Sequence, residues 1–149
     1  MKISFDLDDT LIPYSANDFP TEKRNILHKI MGIEPIRRNT KQLFQTLKRQ
    51  NHQVGIYTTS YRSVVEIQIW CWSYGIFPDF IINEYKNRKA LKKLSFSTAK
   101  HPPSFQIHWH IDDSEGVKLE GQKFNFQTII VAKSDQNWIQ TILKKIGNS

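Results

Sequence analysis

The sequence predicts an α/β fold in which helices cover both faces of a parallel β-sheet. Short apolar runs alternate along the chain with longer stretches whose apolar residues recur at helical spacing. No internal repeat or long linker divides the 149 residues, of which 39% are hydrophobic. A chain of this length can bury one core, so we expect a single domain over residues 1–149.

Five apolar runs are predicted to be strands, because each is short and rich in Ile, Val, Phe or Tyr. In chain order they are Ile3 to Phe5, Gln53 to Tyr57, Phe80 to Ile82, Ile107 to Ile111, and Gln127 to Val131. The connections between them are long enough to hold helices, and parallel pairing requires connections of that kind.

Five stretches are predicted to be helices. They are Thr21 to Met31, Thr40 to Gln50, Ser63 to Tyr74, Lys86 to Leu94, and the stretch from Asp135 to Gly147. Gly32 and Gly75 supply the stops expected at two helix ends. Residues 13–39 are more than a strand-to-helix connection needs, so this segment is interpreted as a short insertion beside the first strand.

Composition narrows the classes of function. No apolar run reaches the roughly 18 residues of a membrane span, and Met1 leads into an acidic motif, so we expect a cytoplasmic protein without a membrane partner. Cys71 stands alone, which excludes a disulfide framework. The formal net charge of +7 favours anionic partners. Because the basic residues are scattered, nucleic acid is less favoured than a phosphorylated substrate.

Polar residues follow three of the predicted strands directly. Asp6-Leu7-Asp8-Asp9-Thr10 follows the first strand, Thr58-Thr59-Ser60 the second and Asp112-Asp113-Ser114 the fourth. Ligands of parallel sheets bind at the carboxyl ends of strands, so these groups are expected to converge. Crowded carboxylates suit Mg²⁺, and hydroxyls with free N–H groups at a helix start suit phosphate oxygens.

On these residues the chain resembles the haloacid dehalogenase superfamily, in its phosphatase branch with an Asp-x-Asp-x-Thr signature and a small or absent cap. The resemblance covers essentially the whole chain. It implies a three-layer Rossmann-like fold with strand order 5-4-1-2-3, and a Mg²⁺-dependent phosphomonoesterase that works through an aspartyl-phosphate. The small insertion implies an open site and a phosphorylated substrate that is large, or a small one enclosed by a partner subunit.

The resemblance implies roles for the motif residues. Asp6 is expected to be the nucleophile and Asp8 the general acid and then the base. The carboxylates of Asp6 and Asp112 and the backbone carbonyl of Asp8 are expected to bind the metal, with Asp113 supporting the ion. Thr58 is expected to hydrogen-bond the transferred phosphoryl group.

A lysine that neutralises the nucleophile and the phosphate is the third motif of that superfamily. Lys100, which is followed by His101-Pro102, is the preferred match, and Lys89 is the alternative. Thr59 and Arg62 are the further candidates for binding the substrate anion. A surface role is equally compatible with Arg62.

Three further residues have competing interpretations. Asp9 is interpreted as a turn or helix cap rather than a catalytic group. His108 and His110 alternate as some metal ligands do, but packed or solvated side chains are the favoured interpretation.

Two alternatives to a phosphatase remain. One is a basic nucleic-acid-binding module with a structural Mg²⁺ pocket and no turnover. The other is carbon–halogen or carbon–phosphorus cleavage on the same fold. Asp8 argues against the second, because a phosphoester leaving group needs an acid there.

Overall fold

The computed structural model describes residues 1–147, and its centre is a five-stranded parallel sheet. The strands are β1 (Lys2–Phe5), β2 (Gln53–Tyr57), β3 (Ile81–Ile82), β4 (Trp109–Asp112) and β5 (Gln127–Ile130). Their spatial order is β3-β2-β1-β4-β5. This is the expected order 5-4-1-2-3 read from the opposite edge, so the α/β class and the strand order are confirmed.

Six α-helices connect or follow the strands within the described residues. They are α1 (Ile26–Ile30), α2 (Thr40–Arg49), α3 (Val64–Ser73), α4 (Glu84–Leu91), α5 (Glu115–Phe124) and α6 (Trp138–Gly147). A 3₁₀ helix covers Pro102–Phe105. None of these helices is long and apolar enough to cross a membrane.

The first residue of helix α3 is set by the side chains of Ser63 and Glu66. Ser63 precedes the helix, and its hydroxyl accepts a hydrogen bond of 3.2 Å from the Glu66 amide. The Glu66 carboxylate accepts one of 2.6 Å from the Ser63 amide in return. This capping box satisfies two amides that the first turn leaves without helical partners, so the helix begins at Val64.

The first predicted helix is wrong in length and in its buried face. The stretch Thr21 to Met31 is helical only over Ile26–Ile30, where the Asn25 side chain caps the helix. The apolar residues that suggested an amphipathic helix are 62–76% exposed: Ile26, Leu27, Ile30 and Met31. His28 is buried instead, and its ring lies 4.4 Å from the ring of Tyr74.

Helix α5 was not predicted. Val117 and Gly121 are its buried residues. Two positions are too few to show the spacing of apolar residues by which an amphipathic helix is recognised in a sequence. Gly121 is required because a Cβ there would lie 2.7 Å from the carbonyl oxygen of Phe126. The helix therefore packs on β5 through a close backbone approach rather than through an apolar stripe.

Strand β1 is the central strand and fixes the position of the site. It pairs with β2 on one side and with β4 on the other, and Ile3 and Phe5 are fully buried in the core. Asp6 follows at once, and its amide donates a 2.9 Å hydrogen bond to the carbonyl oxygen of Ile111 in β4. The segments after β1, β2 and β4 therefore lie at the same edge of the sheet.

A buried arginine ties the 13–39 segment to this edge. The Arg37 guanidinium lies 4.5 Å from the ring of Phe19 and 4.9 Å from that of Trp138. Its N–H groups donate to three backbone carbonyl oxygens, those of Thr10 (3.4 Å), Ala132 (3.0 Å) and Asp135 (3.0 Å). Burial lowers the pKa of Arg37 to about 10. The loops after β1 and β5 and the 13–39 segment are thus held together at one point.

Candidate active site

Three carboxylates converge at the carboxyl ends of β1 and β4. One oxygen from each of Asp6, Asp112 and Asp113 lies within 4.8 Å of the others. Asp6 is 8% exposed and Asp112 is 1% exposed, so the like charges are crowded away from water. The sequence predicted that these three residues meet, and the fold brings them together from positions more than 100 residues apart.

Lys100 lies between two of these carboxylates. Its Nζ is 2.8 Å from Oδ1 of Asp6 and 2.6 Å from Oδ2 of Asp112. Burial alone would lower the pKa of Lys100, but the charges of Asp6 and Asp112 outweigh it and raise the pKa above its usual value. The alternative lysine, Lys89, is an exposed residue of α4. The structure therefore brings Lys100 to Asp6.

A buried network positions the backbone around Lys100. The hydroxyl of Tyr57 donates a 2.6 Å hydrogen bond to Oδ1 of Asn87 and accepts one of 2.8 Å from the amide of His101. Asn87 in turn donates to the carbonyl oxygen of Ala99 at 2.9 Å. Sequence reasoning did not identify Tyr57 or Asn87, since the partners of Tyr57 are 30 and 44 residues away and Ala99 is 12 residues from Asn87.

His110 is a site residue that sequence reasoning missed as well. Its Nε2 donates to Oδ2 of Asp112 at 3.0 Å, and its Nδ1 lies 2.8 Å from the hydroxyl of Ser4. Burial and the charge of Lys100 lower the pKa of His110, which favours the neutral form of the ring. Successive side chains of a strand point to opposite faces, so His110 and Asp112 lie on the same face of β4. This two-residue spacing was the sequence signal that could have identified His110. His108 is exposed and accepts a hydrogen bond from the amide of Lys2.

The two buried aspartates have opposite electrostatic surroundings. Burial raises the pKa of Asp6 and outweighs the opposing charge of Lys100. Burial would also raise the pKa of Asp112, but the hydrogen bond from His110 and the charge of Lys100 together lower it below its usual range. Burial and the neighbouring Asp112 charge raise the pKa of Asp113, whose Oδ1 accepts a 3.2 Å hydrogen bond from Thr10.

The Asp8 side chain is not part of the three-carboxylate group and pairs with Arg62. Nη1 of Arg62 is 3.0 Å from both carboxylate oxygens of Asp8, and Nη2 is 3.0 Å from both of Glu34. Burial would lower the pKa of Arg62, but these two carboxylates raise it. The Asp8 side chain is 53% exposed. Arg62 thus links Asp8, in the loop after β1, to Glu34, in the 13–39 segment.

The segment after β2 supplies the remaining predicted residues. Thr58 is 1% exposed, and its hydroxyl accepts a 3.1 Å hydrogen bond from the amide of Ser60. Thr59 is exposed at the same edge. Asp9 lies outside the carboxylate group; it accepts a hydrogen bond from the Tyr14 amide and pairs with Lys133 at 2.7 Å, as a turn cap does.

A solved structure has a similar architecture. The HAD domain of effector protein Lem4 from Legionella pneumophila, solved as an inactive mutant, superposes with a TM-score of 0.54 at 14% sequence identity. The match covers 99% of this chain and 93% of that one. The chain has a haloacid dehalogenase-like fold. At this identity the likeness shows the fold and not the activity. No family model and no curated protein matches the sequence.

Within this haloacid dehalogenase-like fold, the donor set fits a hard divalent cation. Oδ1 of Asp6 is buried without a well-directed hydrogen bond, although Lys100 Nζ is 2.8 Å away. Three carboxyl groups meet here and one ammonium lies against two of them, so a bound cation would offset their mutual repulsion. Carboxylate oxygens in such a cluster can hold Mg²⁺.

Proposed function

We propose that the protein is a Mg²⁺-dependent phosphohydrolase that cleaves phosphomonoesters through an aspartyl-phosphate at Asp6. The observation that carries the proposal is the meeting of Asp6, Asp112 and Asp113 with Lys100 at the end of the central strand. Asp8 stands two residues beyond Asp6 with its side chain half exposed. A nucleophile, a cation and a candidate acid thus share one edge of the sheet.

In the first half-reaction an oxygen of Asp6 attacks the phosphorus atom, and the bond from phosphorus to the leaving oxygen breaks. Asp8 donates the proton that this oxygen takes up. The ammonium of Lys100 stabilises negative charge on the phosphoryl oxygens, and the hydroxyl of Thr58 and the hydroxyl and amide of Thr59 hold them.

In the second half-reaction a water molecule attacks the phosphorus atom of the aspartyl-phosphate. Asp8 accepts the proton from this water, and the bond from phosphorus to Asp6 breaks. The products are inorganic phosphate and the free Asp6 carboxylate, so the enzyme returns to its starting state.

The carboxylates of Asp6 and Asp112 and the backbone carbonyl of Asp8 are the groups that would hold Mg²⁺, with Asp113 supporting it. When bound, the ion would neutralise charge on the transferred phosphoryl group. Asp113 is itself held by Thr10, and Asp112 by His110 and Ser114. These supporting contacts keep the carboxylates oriented.

Hydrolysis of para-nitrophenyl phosphate tests the proposal. Turnover with Mg²⁺ is expected to disappear in EDTA and in Asp6→Asn, because the amide is a poor nucleophile. Asp79→Asn is the matched control, since Asp79 pairs with Lys48 at the opposite end of the sheet. Equal turnover by Asp6→Asn and wild type would remove Asp6 from the reaction. Salt-dependent binding to DNA without any turnover would favour the binding module instead.

A further inference from the structure

A cleft of about 320 Å³ lies between the 13–39 segment and α3. Its apolar lining includes Leu7, Ile12, Ile33, Ile67, Ile69 and Trp70. We propose that this cleft binds the leaving group of the substrate, and that the leaving group is an uncharged apolar or aromatic one. The inference rests on the proposed function and specifies its substrate class.

Arg62 links the cleft to the candidate acid, Asp8. Arg62 lines the cleft and also holds Asp8 through two contacts of 3.0 Å. Leu7, on another wall, stands between Asp6 and Asp8 in the chain. A group that occupies the cleft would therefore contact Arg62, the side chain that holds the residue proposed to protonate the leaving oxygen.

The charges around the cleft select against a second anionic group. Arg62 is matched by the carboxylates of Asp8 and Glu34, and Glu66 is engaged in the capping box of α3. The charged residues that line the cleft are thus one cation, Arg62, and two carboxylates, and Asp8 adds a third carboxylate beside Arg62. A nucleotide or a doubly phosphorylated ligand would place further negative charge there, whereas an uncharged ring or alkyl group would meet no repulsion.

The wall contributed by the 13–39 segment is fixed by hydrogen bonds. The indole N–H of Trp70 and the hydroxyl of Tyr74 both donate to the carbonyl oxygen of Glu34, at 3.0 and 2.9 Å. Trp70 is 6% exposed, so this anchor is part of the packed core. The cleft is therefore shaped before a ligand arrives, and its volume suits one ring system.

Binding of two phosphonates, which cannot be hydrolysed as esters, tests the inference without turnover. Calorimetry with Mg²⁺ is expected to show 1-naphthylmethylphosphonate binding at least about tenfold more tightly than methylphosphonate, a difference of about 1.4 kcal/mol. Ile69→Asp should abolish this preference, because Ile69 lines the cleft and is 44% exposed, so the fold tolerates the change. Val65→Asp, one turn earlier on α3 and 62% exposed, is the matched control and should keep it.

Equal affinity for the two phosphonates, binding of neither, or a preference that survives in Ile69→Asp would overturn the inference. Loss of the preference in the Val65→Asp control as well would do the same. Failure of the cleft proposal and failure of the proposed function can be told apart, because the first is measured by binding and the second by turnover. If the preference depends on Ile69 while Asp6→Asn retains full turnover, the cleft stands and the nucleophile assignment falls.

Discussion

Replacing Lys100 with Met is expected to destabilise the metal-free protein by about 3–5 kcal/mol, the usual cost of removing one partner from a buried ion pair. The ammonium lies 2.8 Å from Asp6 and 2.6 Å from Asp112, and the side chains are 4%, 11% and 2% exposed respectively. Met keeps most of the apolar stem, so the change removes charge more than packing. Two carboxylates then remain buried without their cation.

The assay is urea unfolding in EDTA at pH 7, followed by tryptophan fluorescence. Lys89→Met is the matched control and should stay within about 0.5 kcal/mol of wild type, because Lys89 is exposed. Mg²⁺ should restore more stability to Lys100→Met than to wild type, since a dication compensates the same carboxylates.

The sign of the pH dependence follows from the raised pKa of Lys100. The stabilisation by the Lys100 ammonium is fully present below pH 10.5, the pKa of lysine in the unfolded chain. It is lost as the pH rises through the higher pKa of Lys100 in the folded protein. The difference between wild type and Lys100→Met should therefore be constant from about pH 7 to 10 and narrow above 10.5. A difference below about 1 kcal/mol at pH 7, or an equal loss in Lys89→Met, would refute the reasoning.

Three further changes test other parts of the site. Tyr57→Phe should cost about 1–3 kcal/mol in urea unfolding, because the Asn87 carboxamide oxygen and the His101 amide each lose a partner; an unchanged midpoint would contradict this. Arg37→Met should lower the unfolding free energy by at least about 2 kcal/mol, since three buried or partly buried carbonyl oxygens lose their donor. Asp112→Asn should raise the Mg²⁺ concentration for half-maximal turnover at least about tenfold, and an unchanged titration would remove Asp112 from the metal shell.

The strands and the carboxylate motif were predictable because their signal is local. Each strand is a short apolar run, and the carboxylates of Asp6 and Asp112 directly follow runs that end in Phe5 and Ile111. The parallel arrangement then brings strand ends together without further information. Boundaries were less accurate: β4 begins at Trp109 rather than at Ile107, and α4 begins at Glu84 rather than at Lys86.

The remaining features depend on contacts that sequence spacing does not encode. The apolar residues of α1 have helical spacing yet face solvent, because His28 makes the contacts with Tyr74 and Ser73. The bridge from Asp8 through Arg62 to Glu34 joins residues 54 and 28 positions apart. A single cytoplasmic domain, like every catalytic role, stays a prediction.

The most direct test of the central claim is to look for the phosphoryl group on Asp6. Asp8→Asn is incubated with para-nitrophenyl phosphate and Mg²⁺ and quenched in acid, and its peptides are analysed by mass spectrometry. This substrate leaves without needing an acid, while the missing base slows hydrolysis of the intermediate, so the aspartyl-phosphate should accumulate. One phosphoryl group is expected on Asp6 in this variant, and none at that position in Asp6→Asn. Release of para-nitrophenol with no phosphoryl group on Asp6, or with one on another residue, would contradict it.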